Sequence, residues 1–116
     1  MSITLHGIPN CDMVKKARAW LDGQGIAYAF RDYKKEPPTA DELGDWAGTI
    51  GWEPLLNRAG TTFRKLPDAD KAGIDQSKAI ALMVANPSVI KRPVVTGADE
   101  LLVGFKPDAW AAAFAP

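Results

Sequence analysis

The chain opens with a short apolar run at residues 3–7, Ile-Thr-Leu-His-Gly, closed by Gly7 and Pro9. A short run rich in β-branched and apolar residues predicts a strand, and the glycine and proline end it. The period then changes. Val14, Ala17 and Leu21 recur at i, i+3 and i+7, which is the buried stripe of a helix over residues 12–23. Lys15, Lys16 and Arg18 fall mostly off that stripe, and Gly23 or Gly25 supplies the stop. Asn10 is the predicted N-cap, because its side-chain oxygen can accept from an amide of the first turn. Residues 26–33 alternate loosely and predict a second strand. Strand, helix and strand at this spacing imply a parallel pair with a right-handed crossover.

The middle of the chain reads as helical. Lys34-Lys35-Glu36-Pro37-Pro38 is a solvated turn, and Thr39-Ala40-Asp41-Glu42 is a capping box. It opens a helix whose Leu43, Trp46 and Ile50 share a face, with Gly51 at its end. Glu53-Pro54 predicts a short helix carrying Leu55 and Leu56. Residues 57–64 form a polar, basic loop in which Arg58 and Arg64 are candidate anion contacts, a solvated linker being the plainer reading. Residues 67–70 suit a helical start, and residues 77–85 predict a helix with Ile80, Met83 and Val84 inward, stopped by Asn86-Pro87.

Strand character returns at residues 93–96 and 101–103 around the turn Gly97-Ala98-Asp99, an antiparallel hairpin. Lys106-Pro107-Asp108 begins a last helix carrying Trp110 and Phe114. The order predicts an α/β fold with a mixed four-stranded sheet, one domain over residues 1–116 with a helical insertion at about 39–85.

Composition narrows the function. Fourteen basic and fourteen acidic residues cancel, which argues against general nucleic-acid or membrane-surface binding. No apolar run approaches the roughly 20 residues of a membrane span, and the first residues lack the core of a signal peptide. One cysteine excludes an internal disulfide and fits a reducing, cytoplasmic compartment. With one cysteine and one histidine, a Cys/His zinc site within a single chain is out of reach, so no metal is expected. Neither GxxxxGK[ST] nor GxGxxG occurs, which removes the usual phosphate cradles.

The candidate chemistry is therefore Cys11, at the start of the first helix. The first amides of a helix lack intrahelical partners and carry partial positive charge, so a thiolate is stabilised there relative to a thiol. Lys15 adds a cation one turn on, and Asp12 opposes it weakly. The competing reading is a buried structural cysteine. His6 lies within the first strand and reads as a packed residue rather than a base.

Several segments together resemble the ArsC/Spx family. They are Pro9-Asn10-Cys11 between strand and helix, the run from Lys15 to Leu21, Leu55-Leu56-Asn57-Arg58, Asn86 through Val95, and Val103-Gly104-Phe105. The similarity is greatest to its small YffB-like, arsenate reductase-like members, and Lys91-Arg92-Pro93, eighty residues after Cys11, is its most specific part. The resemblance implies a thioredoxin-like fold with a helical insertion and Pro93 as a cis-proline facing the thiol. It implies Cys11 as nucleophile and Arg92 as an oxyanion contact, with Arg58 (or its neighbour Asn57) filling a middle arginine role. Lys106 stands where the family has a late arginine, keeping the charge without the bidentate fork. Members with strong arsenate activity carry a histidine at the position of Gly7, and Spx-type regulators usually carry Cys-x-x-Cys, where this chain has Val14.

The function implied is a glutathione-dependent thiol reductase, arsenate reductase-like, with no bound cofactor and glutathione as co-substrate. Glutathione or glutaredoxin would be its partner, a small oxyanion or thiol its substrate, and the chain a monomer. Asn10, Lys15, Arg58, Arg92 and Lys106 are its candidate anion contacts. The alternative is an Spx-like module that docks on RNA polymerase or another protein without turnover, through apolar surface near Trp46, Gly51 and Trp52.

Overall fold

A computed structural model describes residues 2–114; Met1, Ala115 and Pro116, included in the predicted 1–116 domain, lie outside the described residues. The chain forms two compact units, one of residues 1–36 with 92–116 and the other of residues 37–91.

The first unit holds β1 (Thr4–Gly7), α1 (Asp12–Gly23), β2 (Ala29–Asp32), β3 (Val94–Thr96), β4 (Leu102–Val103) and α6 (Pro107–Ala113). Its sheet runs β2-β1-β3-β4. β1 and β2 are parallel, and β3 is antiparallel to both β1 and β4. This mixed four-stranded arrangement is a thioredoxin-like α/β fold. The register places Leu5 opposite Val95 and Val95 opposite Leu102, so three apolar residues line up across one face. The stripe Val14, Ala17 and Leu21 of α1 packs on that face together with Trp110 of α6. Fully burying a side chain of this size contributes about 1.5–3 kcal/mol, so this layer supplies most of the unit's cohesion. Trp110 donates its indole N–H to the Gly104 carbonyl at 3.1 Å, which satisfies its one polar atom. Trp20 and Phe105 meet its ring edge-on at 5.8 and 4.9 Å.

α1 ends as one of its two candidate glycines predicts. Gly23 is helical, and Gly25, at φ +70°, turns the chain out. The Ile26 amide then reaches back to the Leu21 carbonyl at 3.0 Å.

The second unit contains α2 (Ala40–Ile50), α3 (Thr61–Arg64), α4 (Asp68–Lys71), α5 (Gln76–Ala85) and a 3-10 turn at Pro87–Val89. The capping box at Thr39 and Glu42 forms as predicted. Leu43, Trp46 and Ala47 are the buried residues of α2, and Ile50 is only half-buried.

Three local expectations fail, each for a backbone reason. Leu55 and Leu56 are not helical. Leu56 bridges Ile90, the Asn57 amide donates to the Val89 carbonyl at 2.8 Å, and the Lys91 amide donates to Leu55 at 2.6 Å. Both leucines are buried, and pairing with residues 89–91 satisfies backbone groups that a single helical turn could not. The basic loop closes as α3, because buried Phe63 anchors a turn at its end. In α5, Ala79, Leu82 and Met83 face inward, and Val84, 100° round from Met83 on an ideal helix, is 43% exposed. Among the described residues no helix is long and apolar enough to cross a membrane.

The approach of α1 to β1 yields a test. A Cβ placed on Gly7 would lie 2.8 Å from Val14 Cγ2, and Val14 is fully buried and stiff at χ1. Gly7→Ala should lower stability by about 1–3 kcal/mol in urea unfolding. An unchanged midpoint would show that Val14 gives way freely.

Candidate active site

The site is assembled at the end of β1. Pro9 and Asn10 occupy the centre of a turn closed by the Cys11 amide donating to the Ile8 carbonyl at 3.2 Å. Pro9 has the fixed φ suited to the first central position, which carries Asn10 past the cap. The predicted N-cap is thereby corrected. Cys11 is the N-cap of α1, extended at φ −92° and ψ 125°, and its carbonyl accepts the Lys15 amide at 2.9 Å.

An N-cap side chain normally accepts from the amides two and three residues on. Here those amides belong to Met13 and Val14, and the cap offers sulfur instead of oxygen. Arg92, half-buried, precedes Pro93 across a cis peptide bond and lies against the same sulfur. The Cys11 thiol is pulled below its ordinary pKa by a balance of opposed effects. Burial raises it; the Val14 amide, a hydrogen bond from the Arg92 side chain, the Met13 amide and the Arg92 charge lower it and win. Cys11 is itself half-buried, so the sulfur is neither lost in the core nor fully solvated. Charge-assisted interactions are about twice as strong as neutral ones, so these groups favour the thiolate over the thiol.

Of the other candidates, Asn10 is exposed and sits in the turn before the cap. Lys15 is exposed, and the groups that lower the thiol pKa are the Val14 and Met13 amides and Arg92. Lys106 is exposed and caps the N-terminus of α6 in the same unit as Cys11. Arg58 belongs to the other unit, where its guanidinium lies over the Trp52 ring at 5.1 Å. The first-turn amides that the sequence points to are those of Met13 and Val14. With the cap at Cys11 rather than Asn10, they are its second and third successors.

His6 is buried at 5% exposure, and its Nε2 is 2.8 Å from Thr96 Oγ1. Arg31 Nη1 lies 3.4 Å from its Nδ1. Guanidinium can only donate, so Nδ1 accepts and Nε2 carries the proton in this arrangement. Side chains alternate along a strand, so His6 faces away from the layer that Leu5 and Gly7 present to α1. It is a packed residue, as its strand position suggests. Among the described residues no group of His, Cys, Asp or Glu could hold a metal ion.

Comparison with known proteins extends these observations. The model of the ArsC family matches residues 6–113. The chain is similar to the solved structure of a YFFB protein, with 54% identity, a TM-score of 0.94, and coverage of 98% of this chain and 100% of that one. It is similar to an arsenate reductase (ArsC) related protein from Brucella melitensis at 52% identity and a TM-score of 0.77, covering 100% and 97% of the two chains. It is also 30% identical to a global transcriptional regulator Spx from Listeria innocua, over 91% of this chain and 82% of that protein.

The geometry predicts how the thiol titrates. Its pKa is lowered, so the thiolate should persist at pH values where an ordinary cysteine, near 8.5, is protonated. Arg92→Ala removes both a hydrogen bond and a charge, so the midpoint of alkylation rate against pH should move up toward that value. The unfolded chain binds the proton more tightly, so stability should rise with pH through this window and lose the thiolate contribution as pH falls through the folded pKa. Cys11→Ser should abolish that slope. A midpoint for Arg92→Ala equal to the parent's would remove Arg92 from the thiol's environment.

Proposed function

The chain belongs to the ArsC family, and on that premise we propose that it is a glutathione-dependent thiol reductase of arsenate reductase-like kind, with Cys11 as its single nucleophile. The observation that carries the reading is the sulfur held at a helix N-cap beside Arg92, with its pKa lowered. The ArsC-related neighbours support a thiol reductase-like chemistry in general terms.

In the proposed cycle the Cys11 thiolate attacks the oxidised centre of an arsenate-like oxyanion, forming a sulfur–substrate bond and displacing a hydroxyl group as water. A glutathione thiolate then attacks the Cys11 sulfur, forming a mixed disulfide and breaking the sulfur–substrate bond, whose electron pair leaves with the reduced substrate. A second thiol, from glutathione or glutaredoxin, attacks the glutathione sulfur and expels the Cys11 thiolate. Glutathione disulfide leaves when that thiol is glutathione, and two thiol protons are released or passed to the product. The chain has no second cysteine, so both reducing thiols come from outside. Arg92 would hold anionic groups of the substrate or glutathione, and Lys106, Arg58, Asn10 and Lys15 are the further candidates for that task. A reducing cytoplasm is the compartment where this chemistry has its donor.

The similarity to Spx favours a second reading, a regulatory module that docks on RNA polymerase or another protein without turnover. One experiment on the thiol and one on the partner separate the two.

After diamide and glutathione, intact mass spectrometry should find one glutathione per chain, absent from Cys11→Ser. The adduct should persist until a solution thiol or glutaredoxin removes it. Native protein that stays unmodified while denatured protein reacts at once would defeat the reductase reading. Retention of RNA polymerase on immobilised protein, insensitive to Cys11→Ser, would favour the docking module.

A further inference from the structure

A second polar constellation lies on α1, away from Cys11. Arg18 and Asp22 stand four residues apart on that helix, so they share a face. Among the described residues no ion pair joins them. A cation N-terminal to its acid is the weaker order for a helical pair, and Arg18 has better contacts elsewhere. Its guanidinium lies over the Phe30 ring at 4.5 Å and near the Tyr28 ring at 6.0 Å, and its Nε donates to the Tyr28 hydroxyl at 3.1 Å.

The result is an arginine held in place by two rings and one hydrogen bond. Its two Nη groups make no hydrogen bond among the described residues. Arg18, Asp22, Ile26, Ala27, Tyr28 and Phe30 together line an open groove of about 430 Å³, within the size range of small-molecule sites. A fixed fork of N–H donors suits a carboxylate, and Asp22 offers a carboxylate of its own to an ammonium group. The rest of the groove's lining is Ile26, Ala27 and aromatic surface.

We propose that this groove binds a small zwitterion, an α-amino acid with an apolar side chain. The ligand's carboxylate pairs with the Arg18 Nη groups, its ammonium pairs with Asp22, and its side chain covers Ile26 and the rings. The ligand thus joins two charges that the helix leaves apart. Because the fork is already immobilised by Tyr28 and Phe30, little side-chain entropy is lost on binding.

L-phenylalanine is a suitable probe, with hydrocinnamate and phenethylamine as partners that lack its ammonium and its carboxylate. In a titration of the full chain followed by amide NMR, L-phenylalanine should shift resonances of residues 18–30 with a dissociation constant of about 1 mM or tighter. Each partner should bind roughly tenfold more weakly. Arg18→Lys, which keeps the charge but not the fork, should weaken L-phenylalanine by roughly tenfold as well. Asp22→Asn changes only an exposed residue, so its fold is safe, and it should abolish the preference for L-phenylalanine over hydrocinnamate. The proposal fails if L-phenylalanine leaves residues 18–30 unshifted, if hydrocinnamate binds equally well, or if Asp22→Asn keeps the preference.

Discussion

Cys11 is the N-cap of α1, and the Val14 and Met13 amides of the first turn lower the pKa of its thiol. Much else follows from that placement. Val14 serves twice, since its amide acts on the thiol while its side chain is buried against the end of β1. Packing of the apolar stripe therefore sets the position of the donors, and the absence of a side chain on Gly7 lets α1 approach closely enough. The turn through Pro9 and Asn10 delivers Cys11 to the cap at that distance. A thiol placed this way is held by the core rather than by a loop.

The cation beside the thiol matters as much as the helix. A histidine at position 7 would share the face that α1 covers, but its Cβ would meet Val14. His6, one residue earlier, points to the opposite face and is occupied by Thr96 and Arg31. Arg92 is thus the ionised side chain acting on the sulfur among the described residues. Arginine keeps its charge at every accessible pH, whereas a histidine loses its charge near neutrality. Support for the thiolate in this chain consequently does not fade as pH rises through the histidine range.

The parts of this arrangement that were legible in the sequence are those set by period and local chemistry. The β-branched and apolar run of β1, the stripe Val14, Ala17 and Leu21, and the capping box at Thr39 each carry their own signal within a few residues. The parts that were not depend on partners distant in the chain. Leu55 and Leu56 look helical until residues 89–91 are available to pair with them. The choice between Asn10 and Cys11 as cap turns on which residue Pro9 places inside the preceding turn. Proximity of Arg92 to Cys11 was reachable through resemblance alone, because eighty residues of chain lie between them. The Arg18 groove gave no signal at all, since Tyr28 and Phe30 reach that face only when β2 lies parallel to β1.

A single thiol places opposite demands on one sulfur. As a nucleophile it gains from a larger thiolate fraction, but its intrinsic reactivity falls as its pKa falls, with a Brønsted slope of about 0.4–0.5. As a leaving group it gains from every reduction in pKa. In the proposed cycle Cys11 plays both parts, attacking first and being expelled from the mixed disulfide last. The Val14 and Met13 amides and Arg92 stabilise the thiolate in both steps, so they favour release without qualification and attack only up to a point. Burial, which raises the pKa, offsets part of their effect and preserves nucleophilicity. A half-buried Cys11, rather than an exposed one, is the compromise these two steps require of a chain that has no second cysteine.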